Sequence, residues 1–279
     1  MKFNDRVLYI SDLDGTLLNS KAQLSDYTKS ALNRMIAGGL NVSAATGRTP
    51  ASVLKIVSGI EWTLPISMMN GVLLYDFDSS RYTRALTMDS KAASHALAVF
   101  KRCKADGLLY RFVDDGLRTY YDSSASESLR ESIERRILRF DEVFIETDVL
   151  SADGPGDAVY LTWHASFDSV KSAYDMLSDI PGAALALTKD VYNPGKWLLE
   201  VFDRRASKGN AVEYFKEAYG FERVVGFGDN LNDLPLFEAC DISVAPENAL
   251  DEVKAAADHI CETNDRDGVV KWIEAHVRE

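Results

Sequence analysis

The chain is poor in cysteine and histidine. Its three cysteines, Cys103, Cys240 and Cys261, lie far apart and form no C-x-x-C pair, which argues against a disulfide framework and a thiolate zinc site. The four histidines (His95, His164, His259 and His276) are just as scattered, with no H-E-x-x-H, so a histidine-ligated metal lacks its partners. No apolar run approaches the length needed to cross a bilayer, and the run after Met1 is too short for a signal-peptide core. The expected location is therefore cytoplasmic. Positive charge is scarce too: 31 Lys and Arg stand against 43 Asp and Glu, a net charge of −12 at pH 7. Such a surface repels nucleic acid and anionic membranes, so neither is expected as a partner. An anionic substrate would need a few local cations and helix N-termini to overcome that background.

What is present is a globular composition over 279 residues, 46% hydrophobic and 27% charged, enough for one large domain or two ordinary ones. The stretch that organises the chain is Val7-Leu8-Tyr9-Ile10-Ser11, a short apolar run read as a buried strand, followed by Asp12-Leu13-Asp14-Gly15-Thr16. Two carboxylates one residue apart at a strand's end repel each other unless a cation or a chemical task compensates. In open α/β sheets that edge is where ligands bind.

Downstream, Ser25-Asp26 caps a helix carrying Leu32, Met35 and Ile36 and stopped by Gly38-Gly39. Residues 40–45 read as a strand ending in Thr46-Gly47-Arg48, and Thr49-Pro50 opens the next helix. Residues 65–69 read as a further strand, with Asn70-Gly71 turning into 72–75. This alternation predicts an α/β fold, a doubly wound (Rossmann-like) parallel sheet. From about Arg81 the pattern changes to α+β, with a hairpin around Asp114-Asp115-Gly116. Strand–helix alternation is read again from the strand 197–202 onward, through helix 207–219 and strand 223–227. The expected division is a core of residues 1–80 and 194–279, interrupted by an inserted α+β cap of residues 81–193.

In a doubly wound sheet the strand ends converge at one edge. Asp12 and Asp14, then Thr46 and Arg48, then Lys208, then Asp229, Asn232 and Asp233 would meet there. Up to four carboxylates in one cleft call for a cation, and all-oxygen donors favour Mg²⁺ over zinc. Lys208 and the Thr46 hydroxyl suit an oxyanion such as phosphate.

Asp12-Leu13-Asp14-Gly15-Thr16 after an apolar strand resembles the first motif of the haloacid dehalogenase-like superfamily. Thr46 after Ala44-Ala45 resembles its second motif, Ser207-Lys208-Gly209 its third, and Gly228-Asp229-Asn230-Leu231-Asn232-Asp233 its fourth. The Thr46-Gly47-Arg48 extension, Asn70-Gly71, the long insertion and Asp267-Gly268-Val269 look like the Cof-type phosphatase branch.

The resemblance implies a phosphatase acting through an aspartyl-phosphate on Asp12, with Asp14 as general acid and then base. It implies Mg²⁺ held by Asp12, Asp229 and the Asp14 carbonyl, and Thr46 and Lys208 on phosphate oxygens. Gly47, Arg48, Asn70 and Asn232 are expected at the substrate, and Asn232 and Asp233 are expected to orient metal waters and Lys208. The expected partner is a small-molecule phosphate ester, most simply a sugar phosphate. A phosphomutase or phosphotransferase using the same intermediate, and a non-catalytic phospho-ligand binder, stand as alternatives. The insertion is expected to close over the crevice, with Lys189, Tyr192, Asn193, Lys196 and Trp197 near its return. Monomer and homodimer are both left open.

Overall fold

The apolar run Val7–Ser11 does form a strand, β1, and all but its first residue are buried, as a strand flanked on both sides requires. The computed structural model describes residues 5–189 and 195–277. After β1 come helix Asp26–Ala37 (α1), strand Asn41–Ala44 (β2) and helix Pro50–Ile56 (α2). The Ser25 hydroxyl caps α1 by accepting from the Thr28 N–H at 2.9 Å, and Pro50 opens α2 where its missing donor costs nothing. Strands Ile66–Met68 (β3), Leu73–Asp76 (β4) and Arg81–Ala85 (β5) follow.

The next stretch runs through Ser90–Arg102 (α3), Gly107–Val113 (β6), Gly116–Asp122 (β7), Glu127–Phe140 (α4) and Phe144–Thr147 (β8). It continues through Asp157–Ala165 (β9), Phe167–Leu177 (α5), Ala183–Lys189 (β10) and Trp197–Asp203 (β11). The remainder is Lys208–Tyr219 (α6), Arg223–Phe227 (β12), Leu234–Ala239 (α7), Ile242–Pro246 (β13), Asp251–Ala256 (α8), His259–Cys261 (β14) and Gly268–His276 (α9).

The chain divides into two compact units, one of Met1–Arg84 with Ser207–Glu279 and one of Ala85–Ala206. The first is built on a five-stranded parallel sheet in the order β14-β13-β12-β1-β2. Leu8 and Ile10 on one face pack with Val212, Phe215 and Leu236 of α6 and α7. On the other face Phe227 meets Trp272 of α9 edge-to-face, ring centres 5.5 Å apart. Helices cover both faces, the doubly wound arrangement expected.

The second unit is a six-stranded sheet in the order β10-β11-β9-β6-β7-β8, antiparallel except for the β7–β8 pair. Its core gathers Phe100, Leu161, Trp163, Val170, Leu199 and Val201. This is the α+β module that the change of pattern predicts. Among the described residues no helix is long and apolar enough to cross a membrane.

Two expectations need correction. The strand at 65–69 does not extend the parallel sheet. Its three residues, β3, pair antiparallel with β4 in a separate β3-β4-β5 sheet, and only an isolated parallel bridge, Ala45 to Ser67, links it to the β2 end. The tight turn at Met69-Asn70-Gly71, all with positive φ, folds the chain straight back on itself. The second correction concerns 197–202. β11 lies between β10 and β9 in the second unit, with Leu199 and Val201 in that unit's core. The strand thus lies on the inserted side of the division between the two compact units, which falls at 84/85 and 206/207. An apolar strand just before Ser207-Lys208 reads the same locally whichever sheet it joins, because period-2 burial names no partner.

Candidate active site

All strands of the parallel sheet point the same way, so their carboxyl ends share one edge. The Asp12 N–H donates to the Phe227 carbonyl at 2.9 Å, and the Ala45 N–H to the Ser11 carbonyl at 2.9 Å. These bonds bring the segments after β1, β2 and β12 side by side. Lys208 opens α6, whose first turn is capped by the Ser207 hydroxyl accepting from Asn210 N–H at 2.8 Å.

Lys208 Nζ donates to Asp12 Oδ1 at 2.7 Å and to Asp233 Oδ1 at 2.5 Å. Asp233 Oδ2 accepts the main-chain N–H groups of Asp229 (2.9 Å) and Asn230 (3.0 Å). Both Asp233 oxygens are thus engaged, which gives it the job of holding Lys208 and the Asp229 loop in register. Asp229 Oδ1 accepts from the Thr16 hydroxyl at 2.9 Å. One carboxylate oxygen from each of Asp12, Asp229 and Asp233 lies within 4.8 Å of the others. Asp12 and Asp229 each keep a second oxygen that takes no described hydrogen bond, and these two are the natural donors for a cation. Gly15 makes the approach possible: its φ is +73°, and a Cβ there would stand 2.3 Å from Asp229 Oδ2.

The cluster is nearly dry, with Lys208 only 2% exposed, Asp12 5% and Asp233 0%. Burial pushes the Asp12 carboxyl well above the usual range; Lys208 opposes this, while Asp233, Asp229 and Asp14 add to it. Asp229 is pushed up to about 6, first by burial and then by Asp233, with the Thr16 hydroxyl working the other way. For Lys208, burial disfavours the ammonium, but Asp12 and Asp233 outweigh it and hold the pKa above its ordinary value. One ammonium among two buried carboxylates and a half-buried third leaves negative charge uncompensated. An all-oxygen donor set of this kind fits a hard divalent cation.

Asp14 sits differently from the others. Its side chain turns to Arg48, which donates from Nε to Oδ2 at 2.5 Å and from Nη2 to Oδ1 at 2.6 Å. Arg48 Nη1 also donates to the Ser52 hydroxyl at 2.8 Å. Thr46 is buried, and its hydroxyl accepts the Arg48 N–H at 3.2 Å. The Asn70 N–H donates to the Thr46 carbonyl at 3.0 Å, in a left-handed run where φ is 52° at Met69, 54° at Asn70 and 92° at Gly71. Gly71 is required there, since a Cβ would stand 2.4 Å from the Ser207 carbonyl oxygen. Asn70 Oδ1 lies 3.2 Å from where a Cβ on Gly47 would be, and Asn232 Nδ2 approaches it at 3.5 Å, long for a hydrogen bond. Two non-glycine residues held at positive φ beside the cluster are the kind of local strain that functional sites store.

Residues 9–273 match the haloacid dehalogenase-like hydrolase family. The chain belongs to that family. It is 27% identical over 289 residues to the 5-amino-6-(5-phospho-D-ribitylamino)uracil phosphatase YwtE of Bacillus subtilis, covering 94% of this chain and 95% of that protein. It is also 27% identical over 272 residues to the pyridoxal phosphate phosphatase YbhA of Escherichia coli, covering 95% and 97%. Among solved structures, a haloacid dehalogenase-like hydrolase from B. subtilis superimposes with a TM-score of 0.77 at 25% identity, over 96% of this chain and 99% of that one. These are relatives of the Cof-type branch, as the motifs suggest.

In this haloacid dehalogenase-like hydrolase, two supporting residues escape sequence reasoning as site members. Thr16 binds Asp229, and its signal was its place directly after Asp-x-Asp-Gly. Asn248 donates to the Gly15 carbonyl at 2.7 Å from a distant segment, with no local motif to mark it. In the inserted unit, Trp197 packs on Phe167 with ring centres 4.8 Å apart, and Lys196 Nζ donates to the Ser128 hydroxyl at 2.9 Å. Tyr192 and Asn193 lie outside the described residues.

Proposed function

We propose that this phosphatase is Mg²⁺-dependent and hydrolyses a small phosphorylated metabolite, a sugar phosphate or a related phosphomonoester, through a phosphorylated Asp12. The observation that carries the reading is charge imbalance: the carboxylates of Asp12, Asp233 and the half-buried Asp229 cluster around a single lysine, which bonds only the first two. The Asp12 and Asp229 carboxylates and the Asp14 carbonyl are assigned to the metal; when bound, it supplies positive charge that offsets repulsion between the carboxylates and the phosphate.

The Asp12 carboxylate attacks phosphorus in line while the ester P–O bond breaks. Asp14 gives its proton to the leaving oxygen and then removes one from the water that attacks the aspartyl-phosphate. That second attack returns Asp12 and releases inorganic phosphate. Lys208 holds the Asp12 carboxylate in place and, with the Thr46 hydroxyl, meets the phosphate oxygens.

The curated relatives named above are phosphatases, one for a ribityl phosphate and one for pyridoxal phosphate, which supports hydrolysis over mutase chemistry. The test is phosphate release from sugar phosphates, ribityl phosphates and pyridoxal phosphate, with and without Mg²⁺, beside a search for interconversion of hexose 1- and 6-phosphates. Asp12→Asn should lose at least about a thousandfold in rate, the scale expected on removing a nucleophile. Wild-type turnover in Asp12→Asn would refute the assignment, and interconversion without phosphate release would make the enzyme a mutase.

A further inference from the structure

Asp14 is the one acid of the site whose carboxylate a guanidinium grips at both oxygens. Arg48 is itself anchored, once through the guanidinium and twice through its main chain. Nη1 donates to Ser52 at 2.8 Å, the Arg48 N–H to the Thr46 hydroxyl at 3.2 Å, and its carbonyl accepts from the Met69 N–H at 3.1 Å. The Arg48 side chain is 11% exposed and that of Asp14 35%. A carboxylate so open would sample several rotamers if left alone. Two parallel N–H bonds on two different oxygens fix both its position and the direction of its plane.

We propose that Arg48 is a positioning residue that aims the Asp14 carboxyl, so that the ability to expel poor leaving groups is set at Arg48. This rests on the reading above, in which the Asp14 proton passes to the ester oxygen as the P–O bond breaks. An alkoxide leaves only with that proton, whereas a nitrophenolate leaves without it. Misaiming the acid therefore penalises alkyl esters more than aryl esters, and orientation matters steeply in such steps. When Asp14 carries its proton, its carbonyl oxygen still accepts one of the two guanidinium bonds, so the acid stays aimed. The inference ties the natural substrate to alkyl phosphomonoesters, because an enzyme of aryl or acyl phosphates has little use for a clamped acid.

The test compares kcat and KM for glycerol phosphate and p-nitrophenyl phosphate, with Mg²⁺ present, in the wild type, Arg48→Ala, Arg48→Lys, Asp14→Asn and the Asp14→Asn/Arg48→Ala double variant. Arg48→Ala should lower the alkyl-to-aryl kcat ratio by about 10-fold, a fraction of what general acid catalysis supplies. Arg48→Lys should follow it closely, since an ammonium cannot fork both oxygens, and it carries the test should the alanine variant not fold. Asp14→Asn should lower the ratio at least as far, with little further loss in the double variant. Equal losses on both esters, or a change confined to KM, would overturn the positioning role. A ratio that responds to Asp14→Asn but not to either Arg48 variant overturns this proposal alone. One that ignores Asp14→Asn removes the acid assignment and this proposal together.

Discussion

Each unit of the molecule holds a buried ion pair, and the two are built differently. In the inserted unit, Arg136 donates to Glu142 through Nε at 2.8 Å and through Nη2, which also reaches the Tyr110 hydroxyl at 3.1 Å. Burial works against that guanidinium, but the Tyr110 and Glu142 oxygens hold its pKa above the ordinary value. One cation meets one carboxylate and a phenol, so the charges close among themselves. In the other unit, one ammonium bonds two carboxylates with a third close by, and burial drives two of the three above their usual range. A balanced pair is a structural brace; an unbalanced one leaves room for a further positive charge, the role proposed above for Mg²⁺.

The sharpest way to break this comparison is to remove each cation in turn. Lys208→Met should destabilise by about 3–5 kcal/mol, the cost of stranding buried charge, with part recovered by added Mg²⁺. Arg136→Met should cost a similar or smaller amount, with no recovery from Mg²⁺. Chemical denaturation of both variants with and without the metal reads the contrast. If Mg²⁺ rescued both variants equally, the distinction between brace and unbalanced cluster would fail.

A smaller effect lies in pH. Asp229 titrates at about 6 in the folded chain, against about 4 when unfolded. On acidification the folded state takes up that proton first, so metal-free protein gains stability as pH falls through about 6 and bears the full penalty above it. Asp12 is shifted in the same direction and adds to the trend. Mg²⁺ should therefore raise Tm clearly near pH 7.5 and much less near pH 5. Calorimetry at both values checks it, and a metal effect independent of pH would count against these carboxylates as the binding site.

Smallest is Thr16→Val. Losing the hydroxyl that binds Asp229 should cost about 1 kcal/mol in stability and weaken Mg²⁺ binding by about 10-fold, the low end of the 10–100-fold range for groups that orient metal ligands. Titrating Mg²⁺ against activity measures it. The equivalent loss of a hydroxyl at Tyr110, Tyr110→Phe, should leave the metal response alone.

The parallel sheet was legible because apolar runs, caps and glycines repeat at strand–helix spacing, and the alternation has few packing solutions. Asp12 and Asp229 were legible because each follows a strand of the parallel sheet, and Lys208 because it opens a helix directly after the capping Ser207. The pairing of Trp197–Asp203 was not, since its alternating burial suits either sheet. The Arg48 to Asp14 fork was not legible either: 34 residues separate the two, and reach and rotamer decide the contact.

The residues alone determined the kind of chemistry, because carboxylates and a hydroxyl after strands, with a lysine opening a helix, limit what can bind there. Which oxygens stay available, which acid is clamped and which strand joins which sheet were decided only by the folded chain. Those outcomes depend on distances of a few ångströms between segments far apart in sequence, and the interactions that set them come into being only when the strands align.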